Sequence, residues 1–459
     1  MTKTRVILDP AGPGNSTFSD PGETLKRTEF AARVAAVAAA LADHAPMRIC
    51  LPLLSDLGSL AALVAALESH HSVALIPGGD APEVPAFASA VLTGAPGGGF
   101  ALQMTGTPAV ADATDRIYLR SSGSTGTPKW AVHGTDRLLF GNGAAVIERL
   151  ALRADDKVML PVPVHHMYGL GAGLIPAMTL GASIHLVPRG NPLTVFAAQR
   201  AVQPDVMFLV PSQCRSIMAL GRVAGQLRLV VVAGDKLGAD EAAAFEEKHG
   251  LLVNLYGSTE LGAITAGRPS DPPALRHPFA GPVLSDFELA VMPTDDPDAA
   301  AGAQVMRIRS EHGLFGYADP ATGEIDRPAG EYWTTGDLVR AHDGGLIEVL
   351  GRSDFAVNRD GLLVHMGDIE TVISRVPGVA QAAVVSAGMT RRGAGLTAFC
   401  AIEDGHDTDD EAVMAACRAA LQPRAVPDRL VVMAALPLLP SGKFDRRVLT
   451  TEAQSRLDA

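Results

Sequence analysis

Hydrophobic residues follow two patterns along the first half of the chain. Phe30, Val34, Val37 and Leu41 recur every three or four residues, which places them on one face of a predicted helix. Strands that alternate with such helices are typical of an α/β fold with largely parallel sheets. The apolar runs that predict buried strands are RICLPL (48–53), SVALIP (72–77), VMFLVP (206–211), LRLVVVAG (227–234) and LLVNLYG (251–257).

The pattern changes beyond about residue 270. Turn-rich loops there separate FELAVM, VMRIRS and GLIEVL, which indicate antiparallel β structure. The charged, glycine-bounded segment 351–361 is typical of a connection between domains, and helical and strand-like segments follow it. We therefore predict a large N-terminal domain over residues 1–353, with parallel-type sheets, helices and a β-rich subdomain. A small α+β domain is predicted over 354–459.

Composition and charge narrow the setting of the protein. Of the 459 residues, 47% are hydrophobic and 19% are charged, and the net charge is −12. This balance is typical of a globular protein and disfavours a general affinity for nucleic acid or anionic membranes. The N-terminal segment MTKTRVILDP lacks the apolar core of a signal peptide, and no apolar run is long enough for a membrane span. The four cysteines form no CxxC pair, so buried thiols and a cytoplasmic location are expected.

Small and polar residues cluster where predicted strands end. AGDK (233–236) and YGSTE (256–260) each follow an apolar run, and ligands of α/β folds gather at the carboxyl ends of strands. SSGSTGTPK (121–129) follows another such run. It is either a flexible linker or a loop whose hydroxyls, N–H groups and lysine hold an anion. Its glycine spacing differs from GxxxxGK[ST], which disfavours a P-loop kinase.

Five further segments occur downstream of YLRSSGSTGTPK (118–129). Together, and in this order, the six resemble the core motifs of the adenylate-forming superfamily, which includes acyl-CoA synthetases, luciferases and peptide-synthetase adenylation domains. The five are PVHHMYGLGAG (163–173), NLYGSTELG (254–262), YWTTGDLV (332–339), GRSDFAVNRDG (351–361) and LPLLPSGKFDRR (436–447).

The resemblance implies a two-step reaction that uses ATP and Mg²⁺. A carboxylate attacks the α-phosphate, pyrophosphate leaves, and a thiol then displaces AMP from the acyl-adenylate. By the match, Thr259 contacts the α-phosphate and Glu260 holds the magnesium ion. The residues expected to hold the β- and γ-phosphates are Ser121, Ser122, Gly123, Ser124, Thr125, Gly126, Thr127 and Lys129.

The same resemblance assigns residues to the nucleoside. Asp337 is expected to accept both ribose hydroxyls, with Arg352 beside it. Tyr256 is expected to stack on adenine, with Ala233, Gly234 and Asp235 as the opposite wall. Lys443 matches the C-terminal lysine that bridges the carboxylate and the α-phosphate during adenylation.

The thiol step is expected to involve movement of the small domain. Asp354 matches the family's hinge, about which the mobile C-terminal domain swings, and Gly361 gives the pantetheine arm room beside the backbone. Asp360 replaces a frequent glycine, and Asn358 stands where lysine or serine is common. These departures concern the contacts of the thiol acceptor and leave the adenylation chemistry unchanged.

The acid is the least determined part of the prediction. Segment 163–173 has no acidic residue to pair with an α-amino group, which disfavours amino acids. His166 matches the histidine or aromatic residue that shields the adenylation site. Because adjacent residues of a strand point apart, a metal site formed with His165 is disfavoured. The polar pair Asp235–Lys236 and Tyr168 favour a compact pocket for an aromatic or short acid. The expected acyl-pocket residues are His166, Tyr168, Gly169, Gly234, Asp235 and Gly257.

The sequence thus predicts an AMP-forming carboxylic acid–thiol ligase for an aryl or short to medium acyl acid. The acceptor is the pantetheine thiol of CoA or of a free-standing acyl-carrier protein, and the sequence leaves the choice open. One alternative is an enzyme that passes the acyl group to another nucleophile such as an amine. Another is a non-catalytic relative that binds a nucleotide or acyl ligand; the presence of Lys129, Glu260 and Lys443 argues against it. The early position of the phosphate loop predicts an abbreviated N-terminal subdomain.

Overall fold

A computed structural model gives the fold of the chain, and its residues group into two compact units. The first unit comprises Met1–Leu289, Ile308–Trp333 and His342–Glu348, and the second comprises Ala290–Arg307, Thr334–Ala341 and Val349–Ala459. The structure describes residues 7–8, 16–79, 82–108, 114–121, 129–188, 192–221, 225–293, 302–327, 332–352, 356–359, 362–390, 393–403, 405–439 and 443–457.

One eight-stranded sheet of the first unit contains six parallel strands with an antiparallel strand at each end. Its central strands are continuous apolar runs because both faces of a parallel sheet are covered; Val206–Leu209, for example, is buried throughout. In spatial order the strands are Gly262–Ala266, Gly250–Ser258, Leu227–Val232, Val206–Leu209, Lys157–Leu160, Ser183–Leu186, Thr17–Ser19 and Thr24–Lys26.

A second eight-stranded sheet of this unit is parallel at its centre and antiparallel at both edges. Lys129–Gly134 pairs with Arg116–Ser121 so that Lys129 lies opposite Ser121, and the SSGSTGTPK segment therefore closes a hairpin. The strand order is Ile325–Asp326, Gly316–Ala318, Lys129–Gly134, Arg116–Ser121, Ser72–Pro77, Arg48–Leu53, Ala90–Gly94 and Phe100–Met104.

The helices of the first unit follow the predicted periodicity. In Arg27–Leu41 the buried positions include Phe30, Val34, Val37 and Leu41, as expected from their spacing. The remaining helices are Leu57–Glu68, Gly143–Leu150, Ile175–Leu180, Pro192–Val202, Pro211–Ala219, Ala239–His249 and Pro273–Arg276, with π-helical turns at Arg137–Asn142 and Tyr168–Leu174 and 3₁₀ turns at Pro96–Gly98 and Asp343–Gly345.

The β-rich segment after residue 270 forms a four-stranded sheet. Its strand order is Phe287–Pro293, Gln304–Ser310, Trp333–Ala341 and Ile347–Arg352, which includes the predicted runs FELAVM, VMRIRS and GLIEVL. The second unit has a further sheet with helices packed against it, as predicted for a small α+β domain. Its strands are Ala356–Arg359, Leu362–His365, Val379–Thr390, Gly393–Ile402 and Arg429–Met433; its helices are Met366–Ser374, Asp410–Ala420 and Arg446–Ser455, with a 3₁₀ turn at Pro423–Ala425.

An ion pair between the buried Arg359 and the partly exposed Asp428 holds part of the connecting segment within the second unit. Arg359 is fully buried and donates to Asp428 Oδ1 at 2.6 Å, while Asp428 Oδ2 accepts the Leu396 N–H at 2.8 Å. Residues 356–359, within the segment predicted to connect the domains, thus form a paired strand. The boundary after residue 353 and the hinge stay predictions.

The structure bears on three broader predictions, which concern the fold class, the cysteines and membrane-spanning helices. The α/β class, with mixed sheets and a smaller C-terminal part, is confirmed. The four cysteines are buried thiols, and burial raises the pKa of Cys50 to about 12 and that of Cys400 to about 11. Among the described residues, no helix combines the length and the apolar character needed to cross a membrane.

Candidate active site

The predicted phosphate loop is held between two paired strands. Ser121, at the end of the first strand, is buried, and Lys129, at the start of the second, is exposed. The hairpin therefore brings the two ends of the loop together and leaves the lysine ammonium accessible. The other six predicted phosphate residues, Ser122, Gly123, Ser124, Thr125, Gly126 and Thr127, lie outside the described residues.

Thr259 and Glu260 lie in the turn 258–262, between two antiparallel strands. The Leu261 N–H donates to Ser258 Oγ at 3.2 Å within this turn. Asn142, fully buried, pairs with the peptide just after the turn: its Nδ2 donates to the Ala263 carbonyl at 2.8 Å and its Oδ1 accepts the Ala263 N–H at 3.0 Å. The turn is consequently fixed at its base by a buried amide.

A buried histidine fixes the same turn at its centre. His133 is fully buried, and its Nε2 lies 2.8 Å from the carbonyl oxygen of Thr259. Because a carbonyl only accepts, Nε2 carries the proton and donates. Burial lowers the pKa of His133 to about 4, so the neutral ring persists at neutral pH. His133 thus connects the Lys129–Gly134 strand to the turn that carries Thr259.

Tyr317 joins two of the predicted phosphate-site residues. Its hydroxyl donates to Glu260 Oε1 at 3.0 Å, and Lys129 Nζ lies 5.2 Å from the centroid of its ring. Neither His133 nor Tyr317 is among the site residues predicted from the sequence. Alternation along the strand gave one signal for His133. Lys129 and His133 are four residues apart, so their side chains lie on the same face of the strand. Nothing in the sequence pattern pointed to Tyr317.

The predicted adenine wall lies at the end of the Leu227–Val232 strand. Ala233 is buried and its N–H donates to the Leu209 carbonyl at 3.2 Å. Gly234 has a φ of +94°, which a residue with a side chain adopts at a cost, and Asp235 is exposed. Tyr256 is partly exposed on the neighbouring strand. These positions lie at the carboxyl ends of adjacent parallel strands, as expected for a ligand site.

Among the predicted acyl-pocket residues, Tyr168 has a hydroxyl group that already donates to the backbone. Tyr168 Oη lies 3.0 Å from the Leu209 carbonyl and 2.8 Å from that of Val231, so it donates to the sheet. Any contact of Tyr168 with an acid would therefore come from its ring. Gly169 and Gly257 are required by close packing: a Cβ would lie 2.3 Å from the Pro163 oxygen and 2.2 Å from the Gly262 oxygen, respectively.

The predicted arrangement of the paired histidines was wrong. His165 and His166 lie in a turn, not a strand, and their ring centroids are only 4.3 Å apart. Pro161 and Pro163 precede them, and proline does not continue a central strand. Burial, and secondarily the proximity of His166, lowers the pKa of His165 to about 3, so that ring is neutral.

The remaining predicted residues belong to the second unit. Asp337 is 9% exposed, and its N–H donates to Thr335 Oγ1 at 3.1 Å. Lys443 has an exposed side chain, and its carbonyl accepts the Leu439 N–H at 2.7 Å. Arg352 is in the Ile347–Arg352 strand, where its side chain is not described; Asp354 and Gly361 lie outside the described residues.

Among the described residues of the first unit, Glu260 is the predicted ligand of a magnesium ion. Glu260 offers a carboxylate whose Oε1 already accepts from Tyr317, which leaves Oε2 to face a ligand. The described residues contain no cluster of three or more His, Cys, Asp or Glu side chains suited to a metal. A single carboxylate fits Mg²⁺, because that ion commonly takes one or two carboxylates and completes its shell with phosphates and water.

Replacing His133 tests whether the turn that carries Thr259 must be held in place. We expect His133→Met to lower the rate of acid-dependent pyrophosphate exchange about tenfold, since loss of one buried donor costs about 1–3 kcal/mol. His133→Gln keeps an N–H donor and should recover most of the rate. Exchange rates at several ATP concentrations separate kcat from KM; two variants as active as the wild type would contradict the role.

His133 also predicts an acid-sensitive stability. Its folded pKa of about 4 lies below the unfolded value of 6.5, so the unfolded chain binds more protons between these values. The free energy of unfolding should therefore fall as the pH falls, by about 1.5 kcal/mol from this residue between pH 6.5 and pH 5. Denaturant titrations at both pH values check this, and His133→Gln should remove that part of the loss.

Comparison with solved structures identifies the class of fold. The anthranilate CoA ligase AuaEII, solved with anthranoyl-AMP, superposes with a TM-score of 0.82 at 19% identity over 99% of this chain and 97% of that one. ATP-bound MatB from Rhodopseudomonas palustris gives a TM-score of 0.81 at 20% identity over 98% of both chains. The fold is therefore the one shared by these proteins.

Sequence comparison identifies the family. The family model described as AMP-binding enzyme matches residues 35–307, more than half of the chain, and the AMP-binding enzyme C-terminal domain matches residues 368–443. The chain belongs to the AMP-binding enzyme family, which confirms the predicted superfamily.

Several curated relatives have related names. A salicylyl-CoA synthase / salicylate adenylyltransferase of a Streptomyces species is 28% identical over 75% of this chain and 64% of its own length. A salicyl-AMP ligase / salicyl-S-ArCP synthetase of Mycobacterium tuberculosis is 29% identical over 76% and 63%, respectively. A 4-hydroxybenzoate–CoA/benzoate–CoA ligase of Rhodopseudomonas palustris is 28% identical over 76% and 66%. The chain thus spans slightly less than two thirds of the length of each relative.

Proposed function

We propose that this protein is an AMP-forming carboxylic acid–thiol ligase that uses ATP and Mg²⁺. One observation carries the proposal: Lys129, Thr259 and Glu260, which come from two distant motifs, meet in one corner through His133 and Tyr317. A lysine cation, a backbone turn and a carboxylate at the carboxyl end of a parallel sheet suit a polyphosphate and its metal ion. The family membership and the names of the relatives support the same activity.

The first half-reaction joins the acid to AMP. A carboxylate oxygen bonds to the α-phosphorus of ATP, the bond from that phosphorus to the bridging oxygen breaks, and pyrophosphate leaves. Lys129 and the phosphate loop hold the β- and γ-phosphates, and Thr259 contacts the α-phosphate. Lys443 reduces the electrostatic repulsion between the attacking carboxylate and the α-phosphate. Glu260 is the residue that would hold Mg²⁺, and a bound Mg²⁺ neutralises phosphate charge.

The second half-reaction transfers the acyl group to a thiol. The sulfur bonds to the acyl carbon, the bond from that carbon to the AMP oxygen breaks, and the thiol loses its proton. Movement about Asp354 exchanges Lys443 for the segment around Gly361, so that one site is assembled at a time. The acceptor is the pantetheine thiol of CoA or of a carrier protein; the salicyl-S-ArCP synthetase among the relatives is the reason to include the carrier.

An aryl acid is the preferred substrate class in this proposal. The segment 163–173 offers no carboxylate for an α-amino group, and the relatives' names refer to salicylate, benzoate and 4-hydroxybenzoate. His166 and the ring of Tyr168 provide flat surfaces for an aromatic ring. Short and medium acyl acids remain the second class to be tested.

The decisive experiment measures acid-dependent pyrophosphate release with a panel of aryl, fatty and amino acids. Each acid is tested with CoA, with a holo-acyl-carrier protein, with a primary amine and without any acceptor. We expect release with an aryl acid, and turnover that depends on one thiol. Release that accelerates with an amine instead would favour the enzyme that passes the acyl group to another nucleophile. Measurable ATP binding without release for any acid would favour a non-catalytic relative.

A further inference from the structure

Tyr317 lies on a strand pair whose two faces have different surroundings. Gly316–Ala318 pairs antiparallel with Lys129–Gly134, with Tyr317 opposite Ala131 and Ala318 opposite Trp130. Trp130 and Ala318 are in an apolar cluster at one face. Alternation along the strands places Lys129, Ala131, His133 and Tyr317 on the other face. The sheet thus presents Tyr317 to the corner where Lys129 and Glu260 meet.

The contacts of Tyr317 are of two kinds. Its hydroxyl donates to Glu260 Oε1 at 3.0 Å, a hydrogen bond to a charged acceptor. Its ring lies 5.2 Å from Lys129 Nζ, within the range in which a ring face attracts a cation. The Trp333 ring packs beside the phenol, with its centroid 5.8 Å away. One side chain therefore orients a carboxylate and attracts an ammonium group.

The geometry has a consequence for the carboxylate. Because Oε1 accepts from Tyr317, rotation of the Glu260 carboxylate would break a charge-assisted hydrogen bond, and Oε2 is held in one direction. A metal ion that binds Glu260 then contacts an oxygen, Oε2, whose direction is already fixed. The Glu260 side chain therefore loses less conformational freedom when the metal binds. The same side chain contacts both Lys129 and Glu260, although these two residues come from motifs about 130 residues apart.

We propose that Tyr317 is a positioning residue that aims Glu260 at Mg²⁺·ATP and holds Lys129 beside it. The inference rests on the proposed function, because it assigns the Glu260 corner to the metal–nucleotide complex. It predicts that the Tyr317 hydroxyl strengthens binding of ATP with Mg²⁺ and has no effect on binding of ATP without the metal.

The test compares nucleotide binding by isothermal titration calorimetry with and without Mg²⁺. Tyr317→Phe removes only the hydroxyl, and we expect the Kd of Mg²⁺·ATP to rise about tenfold, with an unchanged Kd for ATP in chelator. Tyr317→Leu also removes the ring that contacts Lys129. We expect this second loss to raise the Kd for ATP about threefold further, both with and without Mg²⁺. Melting temperatures of both variants show whether the fold is retained.

Tyr332→Phe is the matched control. Tyr332 also donates its hydroxyl to a glutamate, Glu288, but this pair is exposed and neither residue is a predicted site residue. This control should bind Mg²⁺·ATP like the wild type. The proposal is overturned if Tyr317→Phe leaves the Kd of Mg²⁺·ATP unchanged, or weakens ATP binding equally with and without Mg²⁺. A wild-type protein that binds no ATP would instead overturn the proposed function.

Discussion

Replacing Lys443 by alanine is expected to slow acid-dependent pyrophosphate exchange by about 10² to 10³ and to leave ATP binding largely intact. Its side chain is exposed, and its backbone carbonyl accepts the Leu439 N–H at 2.7 Å. A cation placed where carboxylate and α-phosphate meet acts mainly in the transition state. Its removal costs about 3–4 kcal/mol, or a rate loss of about 10² to 10³.

The matched control for Lys443 is Arg447→Ala. Arg447 is another exposed cation of the same unit, and its ion pair with Asp445 spans 3.8 Å, so its removal should change little. Exchange kinetics and calorimetric ATP binding are measured for both variants. Loss of ATP binding in Lys443→Ala would refute the assignment, as would an exchange rate close to that of the wild type.

Replacing Asp337 by alanine is expected to weaken ATP binding by about two orders of magnitude. The carboxylate is predicted to accept both ribose hydroxyls, and hydrogen bonds to a charged group are worth about 1.5–3 kcal/mol each. Asp337 is 9% exposed, so its carboxylate is largely shielded from bulk water. It lies in the segment YWTTGDLV (332–339), which resembles a core motif of the family. Calorimetry gives the Kd directly.

A comparison of ATP with 2′-deoxy-ATP separates this role from a general loss of structure. The wild type should prefer ATP, because a site built to accept a hydroxyl discriminates against the analogue that lacks it. Asp337→Ala should bind the two nucleotides with similar affinity. An unchanged affinity for ATP, or a preference as strong as that of the wild type, would remove Asp337 from the ribose site.

The elements of the fold were largely predictable because local patterns determine them. The spacing of Phe30, Val34, Val37 and Leu41 gave a correct helix, and the continuous apolar runs gave correct strands. The order of six motifs was enough to identify the family, since each motif is local in sequence.

The details of the candidate site depend on contacts between distant segments, which local patterns do not encode. Tyr317 reaches Glu260 only because Gly316–Ala318 pairs with Lys129–Gly134. The error at His165 and His166 has a local origin: two neighbouring prolines turn the chain where a strand was predicted. Local sequence patterns therefore predict which residues a site contains better than they predict the contacts that hold those residues in place.

In the proposed ligase, the two packed glycines of the predicted acyl pocket, Gly169 and Gly257, limit how the acid specificity could be changed. A side chain at Gly169 or Gly257 would collide with a backbone oxygen, which cannot move without displacing its own segment. Random libraries at these positions should therefore yield mostly unfolded chains, whatever acid is used for selection. Gly234, where a Cβ would come no nearer than 3.5 Å to Val210 Cγ1, is spatially open, but its positive φ penalises larger residues. Evolution of specificity should accordingly proceed through the neighbouring side chains His166 and Asp235, and the glycines should persist unchanged through successive rounds.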